Sequence, residues 1–321
     1  MHRQCSPESF RGDFESLAAV VRDSWSENQH QSILCDAPLL RSAFAYPGAS
    51  LDLAPTIYID GSPAAFVAGF PRTVRLEGRE KRLACITFWT TSAKFKKRGY
   101  GSQLWMEILR RARERGYDGA VNFCVDGSPT NAMVMACGKK VNAKVNSVFT
   151  ITYLGRLLQP TPMGKTTPCQ GVAALFLTVA AQISESVPLA RVWSREEAEW
   201  QCLRRAGAVF AVHGEGSRAG VVTGYVAEVI DKTSPKVLLV EDLLWGELEA
   251  QERLDLLQDL LAQGATAGAQ IAVAPVMGYA ETATLRRAGF RQSRRLINVY
   301  LTMWNGTPMP ESLSSLYLDV F

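Results

Sequence analysis

The stretch from Leu83 to Gly101 combines the residue types that bind a phosphate group. An apolar run reaches Thr91, a loop with basic residues and two glycines follows, and helical spacing then begins. The first N–H groups of a helix lack partners within the helix and carry the positive end of its dipole. Glycine lets the backbone approach an anion closely, and basic side chains add positive charge. The stretch therefore predicts a cradle for a pyrophosphate.

Two better-known phosphate motifs, GxxxxGK[ST] and GxGxxG, are absent from the sequence. The local charge still favours an anionic ligand, because Lys94–Arg115 contains eight Lys or Arg residues and only two Glu residues. A plain strand–turn–helix corner with surface lysines is the alternative that these residues alone leave open.

The spacing of apolar residues predicts the elements that position this loop. In the first half we expect helix Phe14–Ser24, helix Ala37–Phe44, strand Thr56–Asp60, strand Ala64–Phe70, strand Leu83–Thr91, helix Gly101–Arg115, strand Ala120–Val125, helix Asn131–Lys139 and strand Val145–Leu154. The loop thus joins a buried strand to a long helix with one apolar face.

The second half repeats the order strand, long helix, strand, short helix, strand. There we expect strand Ala206–His213, strand Val221–Ile230, strand Val237–Trp245, helix Glu247–Gln263, strand Gln270–Val276, helix Tyr279–Ala288 and strand Leu296–Tyr300. The segment Gln159–Gln170, QPTPMGKTTPCQ, has the composition of a linker. We therefore expect an α/β (α+β) protein with units at residues 1–158 and 171–321, joined by linker 159–170.

Composition excludes several classes of protein. A net charge of +4 is too small to indicate a nucleic-acid partner. Seven scattered cysteines without a CxxC pair and three histidines without zinc spacing predict reduced thiols and no metal site. Met1–Asp13 lacks the apolar core of a signal peptide, and the apolar stretch Gly171–Ile183 is too short for membrane insertion. We expect a cytoplasmic protein.

The loop resembles the coenzyme A motif of the GNAT superfamily, [Q/R]-x-x-G-x-[G/A], which lies between a central strand and a long helix. Here the motif reads Lys96-Lys97-Arg98-Gly99-Tyr100-Gly101, with lysine in place of Gln or Arg. Asn131-Ala132, after the next strand, resembles the start of the helix that flanks the coenzyme. The resemblance implies two tandem domains, each with a mixed, mostly antiparallel sheet whose central strands splay apart and helices on its flanks.

The resemblance also implies which residues contact acetyl-CoA or a longer acyl-CoA, with the pantetheine arm between the two splayed strands. The expected contacts are Trp89, Thr90, Thr91, Lys96, Lys97, Arg98, Gly99, Tyr100, Gly101, Ser102 and Asn131. The second half matches more weakly. It has the closing Gly289-Phe290, but Leu244–Glu249 offers one glycine, no basic residue and two Glu residues, which repel a pyrophosphate. We expect this half to be degenerate for coenzyme A.

The catalytic groups are less clear in the sequence. Direct attack of an amine on the thioester needs a base, an oxyanion donor and sometimes an acid. Asp126, His213 and His30 are the candidate bases, and the backbone near Trp89 is the candidate oxyanion donor. Many family members use a tyrosine of the short helix as the acid, and helix Asn131–Lys139 contains none. Cys124 and Cys137 lie in apolar stretches, which favours packing over nucleophilic roles.

These features predict an acyl-CoA-dependent N-acyltransferase that acts on a primary amine bound between the two domains. A small-molecule acceptor is expected, and an aminosugar of a secondary metabolite, as in glycopeptide antibiotic biosynthesis, is one option. Two other functions stay open. The chain could hold acyl-CoA without turnover as a regulatory protein, or it could be a protein N-acetyltransferase.

Overall fold

The structure is a computed structural model that describes residues 6–26, 32–159, 171–215, 218–230, 234–304 and 306–320. Its strands are β1 (Glu8–Ser9), β2 (Ser32–Ile33), β3 (Pro55–Ile59), β4 (Ser62–Leu76), β5 (Arg79–Thr91), β6 (Gly119–Val125), β7 (Ala143–Leu157), β8 (Leu189–Val192), β9 (Ala208–His213), β10 (Gly220–Ile230), β11 (Lys236–Leu244), β12 (Ile271–Val276), β13 (Arg291–Trp304) and β14 (Leu316–Tyr317). Its α-helices are α1 (Phe14–Ser26), α2 (Ala37–Phe44), α3 (Tyr100–Glu114), α4 (Pro129–Lys140), α5 (Val172–Ser186), α6 (Arg195–Glu199), α7 (Ala250–Thr266) and α8 (Thr282–Arg287). Short 3-10 helices span Leu51–Leu53 and Ala93–Phe95, and a π-helical turn spans Trp200–Arg204.

The predicted α/β class is confirmed, and the elements follow the expected order. Helix α4 begins at Pro129, two residues before the expected start, because proline is well suited to the first turn of a helix. Strands β4 and β5 are longer than expected, since their charged ends pair in a hairpin that closes at Glu77-Gly78. The apolar stretch that begins at Gly171 forms helix α5, which packs against the second half.

The first half has its helices on two sides of the sheet. Helices α3 and α4 cover one face, where the apolar stripe of α3 packs against Ala84, Ile86 and other side chains of the central strands. Helices α1 and α2 cover the opposite face together with Phe66, Phe70 and Phe88. Between its parallel strands β5 and β6 the chain passes through α3, the usual way to connect parallel strands.

The second half repeats this layout. Strands β11 and β12 are parallel and are joined by α7, with β10 antiparallel to β11. The apolar stripe of α7, including Leu256, Leu257 and Leu260, covers one face of these strands. Helix α8 precedes β13 as α4 precedes β7.

The two halves exchange their last strands within one 14-stranded sheet. Strand β13 of the second half lies between β6 and β7 of the first, and β7 lies between β13 and β12. The order β6-β13-β7-β12 therefore runs through the middle of the sheet. The expected boundary at residues 159–170 stays a prediction, because residues 160–170 lie outside the described part of the chain.

A buried ionic cluster ties the C-terminal segment to both halves. Asp319 contacts Arg72 of β4 at 2.6 Å and Arg191 of β8 at 3.3 Å, and all three side chains are at most 2% exposed. Arg191 also pairs with Glu197 at 2.7 Å, and the hydroxyl of Tyr46 donates to the same carboxylate at 2.5 Å. Asp319 therefore neutralises two guanidinium groups that have no access to water.

We expect Asp319→Ala to destabilise the protein by about 3–5 kcal/mol, because it leaves two buried arginines without their shared carboxylate. Urea denaturation followed by circular dichroism measures this loss. The matched control is Glu114→Ala, which removes an exposed partner of Arg110 and should change stability by less than about 0.5 kcal/mol. Equal effects of the two substitutions would show that the cluster contributes nothing beyond a surface pair.

Candidate functional site

The central strands of the first half splay apart where the expected thioester site lies. Strands β5 and β6 pair only from Leu83–Gly119 to Ile86–Asn122, and no further pairing joins them in the described chain. Just beyond this pairing, β5 contains a β-bulge. Phe66 and Ala68 of β4 are two residues apart, whereas their partners on β5, Thr90 and Thr87, are three residues apart. A bulge leaves one residue of the strand unpaired and changes the direction in which the neighbouring side chains point.

Phe88 lies in this bulge and has a φ of 53°, in the left-handed region. Such a conformation is unusual for a bulky aromatic residue, and strained residues of this kind cluster at functional sites. The side chain of Phe88 packs on the α1–α2 face, whereas the next side chain, Trp89, packs against the α3–α4 face. The bulge therefore sits at a passage between the two faces of the sheet.

The basic loop has the backbone geometry of an anion cradle. Lys97 has a φ of 63°, and Gly99, the N-cap residue of α3, has a φ of 82°. A Cβ atom built on Gly99 would meet no heavy atom of the described chain within 4 Å. Gly99 has no side chain with which to cap α3, so no capping hydrogen bond is made at this position, and basic residues precede it in the chain.

The other expected coenzyme contacts lie along the route from this loop to the bulge. Trp89 stacks on Trp105 with ring centroids 6.3 Å apart, and its indole nitrogen is 3.5 Å from a Cβ atom built on Gly101. Thr90 and Thr91 end β5, and Thr90 is 3% exposed. Ser102 lies in the first turn of α3. Trp105 itself is fully buried and belongs to the core.

Asn131 anchors the start of α4 beside the end of β6. Its side-chain nitrogen donates to the carbonyl oxygens of Val125 at 2.8 Å and Ser128 at 2.9 Å. Its side-chain oxygen accepts from the hydroxyl of Tyr300 at 2.9 Å and from the amide of Asn298 at 3.2 Å. Both partners belong to β13, the strand supplied by the second half.

Strand β13 thus brings two polar side chains, Asn298 and Tyr300, into the first half. Tyr300 pairs in register with Asn122, the last residue of β6 that is joined to β5. Asn122 is 2% exposed, and its side-chain oxygen has no hydrogen-bond partner in the described chain. A buried acceptor without a donor is uncommon, and it indicates a place where a ligand group can bind.

The candidate base Asp126 lies at the rim of this region. Its carboxylate accepts from the amide of Asn298 at 2.8 Å, and the side chain is exposed. Burial, followed by the nearby Cys124 thiol and Asp126 carboxyl, raises the pKa of Tyr300. Burial also raises the pKa of Cys124 to about 12, so this thiol stays protonated and unreactive at neutral pH.

The candidate base His213 lies far from this region in the sheet. His213 ends β9, lies 3.6 Å from the Glu252 carboxylate and is 43% exposed. Six strand-to-strand steps separate β9 from β6, which corresponds to about 29 Å at the usual strand spacing. His30 lies outside the described residues.

The second half has a similar splay that is closed by its own chain. Strands β11 and β12 pair only over Val237–Leu239, and a bulge at Glu241 interrupts the pairing of β11 with β10. Leu318 and Val320 of the C-terminal segment line the opening beside Leu239. Glu249 caps the N-terminus of α7 in a reciprocal capping box with Glu252. The N-terminus of α3 has no side-chain cap at Gly99, whereas the N-terminus of α7 carries the Glu249 and Glu252 side chains.

Comparisons with known proteins agree with this geometry. Residues 17–137, which contain the loop, the bulge and the start of α4, match the model of the acetyltransferase (GNAT) family. This part of the chain is similar to that family. The match supports an N-acyltransferase that uses an acyl-CoA donor. No curated protein matches the sequence.

The GNAT fold also extends over the whole chain. A Saccharomyces cerevisiae N-myristoyltransferase with bound myristoyl-CoA is similar, with 12% identity, a TM-score of 0.73 and coverage of 94% of this chain and 83% of that one. The same enzyme with myristoyl-CoA and inhibitors has 13% identity, a TM-score of 0.73 and coverage of 99% and 84%. At this identity the likeness establishes the fold alone, two tandem GNAT-like units.

Sequence reasoning missed four residues around this opening, Phe88, Asn122, Asn298 and Tyr300. Tyr300 and Asn298 lie in a strand that was expected, but the pattern of a strand does not tell which neighbours it has. Phe88 lies in a strand whose register, and hence whose bulge, depends on β4. The local signal was two polar side chains, Asn298 and Tyr300, on one face of the apolar stretch Leu296–Leu301.

The neighbouring side chains of Glu241 and Asp242 in β11 give a prediction about how the stability of the protein depends on pH. Burial, and then the neighbouring Glu241 carboxylate, raise the pKa of Asp242 to about 6. The unfolded chain protonates this group near pH 4, so between about pH 4 and pH 6 the folded state holds more protons. The contribution of Asp242 to the free energy of unfolding therefore falls as the pH rises through this window.

We expect Asp242→Asn, which cannot ionise, to gain stability relative to the unmodified protein by up to about 3 kcal/mol between pH 4 and pH 7. Urea denaturation at several pH values measures this change. Any hydrogen bond that the substitution alters to the same extent at every pH does not contribute to the change with pH. Asp255→Asn on the exposed side of α7 is the control and should give a constant difference. A constant difference for Asp242→Asn as well would contradict the raised pKa.

Proposed function

We propose that this N-acyltransferase binds acyl-CoA in the first half alone and transfers the acyl group to a primary amine held between the two halves. The observation that carries the proposal is the uncapped N-terminus of α3 at Gly99, with open space in front of it and basic residues beside it. The second half supports the asymmetry, because Glu249 and Glu252 occupy its corresponding helix end. Residues 1–158 and 171–321 are the proposed units.

In this proposal the pyrophosphate contacts Lys96–Ser102, and the pantetheine arm runs along β5 from Thr91 to Trp89, on the side of Asn131. The thioester lies at the opening between β5 and β6, where the backbone N–H groups of the bulge serve as the oxyanion donor. The unpaired side-chain oxygen of Asn122 is available to an N–H group of the arm. Asp126, at the rim, is the proposed base for the incoming amine.

Tyr300 is the proposed proton donor to the departing sulfur. The amine nitrogen attacks the carbonyl carbon, the C–S bond breaks, and its electron pair moves to sulfur, which takes the phenolic proton. The amine loses one proton on becoming an amide, and that proton restores the phenol, so the exchange balances. One observation supports this role: Tyr300 is opposite Asn122, where the strands part. Its hydroxyl, which donates to Asn131 in the structure, turns to the sulfur when the coenzyme is bound.

The acceptor is proposed as a primary amine that approaches from the rim of Asp126 and Asn298. An aminosugar of a secondary metabolite is one such amine. The proposed compartment is the cytoplasm, supported by five described cysteines that are all free and buried. No helix of the described chain has the length and apolar character needed to cross a membrane.

Gly99→Asp tests the loop, because it puts a carboxylate where the pyrophosphate is proposed to bind. We expect at least a 100-fold loss of CoA affinity in calorimetry, from charge repulsion and lost backbone contacts. Gly78→Asp is the matched control. Gly78 has a φ of 80° and open space around it, as Gly99 does, but it lies in the β4–β5 turn, so CoA affinity should not change. Absence of CoA binding by the unmodified protein would refute the proposed function.

Tyr300→Phe tests the proton donor without knowledge of the acceptor. The unmodified protein should bind CoA about fivefold to tenfold more tightly than desulfo-CoA, through a hydrogen bond from the phenol to sulfur. In Tyr300→Phe this preference should fall below about twofold, while desulfo-CoA affinity is unchanged. Tyr58→Phe removes a hydroxyl at the edge of the same half and should keep the full preference. An unchanged preference in Tyr300→Phe would exclude contact with sulfur.

A further inference from the structure

A residue of α1 holds the first residues of the basic loop. Asp23 lies near the C-terminal end of α1. Its Oδ2 atom accepts a hydrogen bond from the Ser92 hydroxyl at 3.0 Å and another from the backbone N–H of Ala93 at 3.0 Å. Ser92 is the N-cap residue of the short 3-10 helix Ala93–Phe95, and its own side chain makes no capping bond there. Asp23 therefore supplies the cap of this turn from a separate helix.

The 3-10 helix in turn supports the basic part of the loop. The backbone N–H of Phe95 donates to the carbonyl oxygen of Ser92 at 2.9 Å and closes the turn. The guanidinium carbon of Arg98 lies 5.2 Å from the ring centroid of Phe95, which is a cation–π contact. Gly99 and α3 follow directly. A shift of the turn would therefore move Arg98, one of the expected contacts of the pyrophosphate.

The backbone of the loop requires such support. Lys97 has a φ of 63°, a left-handed conformation that is costly for a residue with a Cβ atom. Conformations of this kind persist where the surrounding contacts determine them. The two bonds to Asp23, together with the bond from the Ser92 N–H to the Ala64 carbonyl oxygen at 2.9 Å, fix the chain just before this position.

Helix α1 itself packs against both halves. Leu17 and Val21 of α1 are buried in a cluster that also contains Phe66 of β4 and Trp200 and Tyr225 of the second half. The Asp23 carboxylate thus joins the basic loop to a helix that lies where the two halves meet.

We propose that Asp23 is a positioning residue for the coenzyme. Through Ser92 and Ala93 it fixes the conformation in which residues 96–102 bind the pyrophosphate, and it makes the affinity for the donor depend on the docking of α1. The role is one of geometry, because the negative charge of Asp23 by itself opposes the binding of a pyrophosphate. The inference rests on the proposed function, in which this loop binds CoA.

Calorimetry with CoA tests the role. Asp23→Ala removes both bonds and should weaken CoA binding about tenfold, as expected for the loss of hydrogen bonds to a charged group. Both bonds end on one oxygen, so Asp23→Asn keeps an acceptor for them and should stay within about threefold of the unmodified protein. Asp36→Ala is the matched control. It removes the aspartate cap of α2, a bond of 2.9 Å from the Leu39 N–H, and should leave CoA affinity unchanged.

A double-mutant cycle and hydrogen exchange separate positioning from a general loss of stability. Ser92→Ala should weaken CoA binding about threefold, and it should add nothing to Asp23→Ala, because the two residues share one bond. Coupling between two sites is reciprocal. Bound CoA should therefore slow hydrogen exchange in α1 relative to α7 in the unmodified protein, and this difference should disappear in Asp23→Ala.

The same titrations distinguish the inference from the proposed function. CoA affinity in Asp23→Ala equal to that of the unmodified protein would overturn the inference and leave the proposed function intact. An Asp23→Asn variant as weak as Asp23→Ala, or an equal loss in Asp36→Ala, would do the same. If Asp23→Ala does not fold, Ser92→Ala and Asp23→Asn decide. Failure of the unmodified protein to bind CoA would overturn both.

Discussion

The structure depends on the exchange of β7 and β13 between the halves. Each of these strands has a neighbour from the other half on at least one side, and each completes the sheet of the half to which it does not belong in sequence. Hydrogen bonding of a strand on both sides satisfies all its backbone groups, so neither half can close its sheet alone. The proposed thioester site has the same dependence, because Asn298 and Tyr300 reach the first half on β13.

The two halves share one layout but differ at the helix end where the proposed binding site of the first half lies. Both contain parallel strands that part after a few residues, and both contain a bulge next to the opening. The difference lies in a few residues at the following helix. Gly99 leaves the end of α3 open, whereas Glu249 and Glu252 satisfy the end of α7 and repel an anion. The C-terminal segment then closes the second opening.

Much of this arrangement could be predicted from the sequence, because the decisive patterns are local. The glycines and lysines of residues 96–101, the apolar stripe of α3 and the repeated order of elements depend on neighbours within a few positions. The partners of a strand depend instead on the whole sheet. The apolar residues of Leu296–Tyr300 predicted a strand, but this local pattern did not indicate that Tyr300 would pair with Asn122. The bulge at Phe88 arises from the register of β5 against β4, so it had no signal in the sequence.

The exchange of strands has a consequence for a single half in isolation. Without β13, the first half has a gap between β6 and β7, and both strands present unpaired backbone groups along their edges. Exposed edges of this kind promote aggregation. A second copy of the same half could fill the gap with its own last strand, which is the geometry of a domain-swapped dimer. The present chain has the strand arrangement of such a dimer joined into one polypeptide, so each half receives its partner strand without a second molecule.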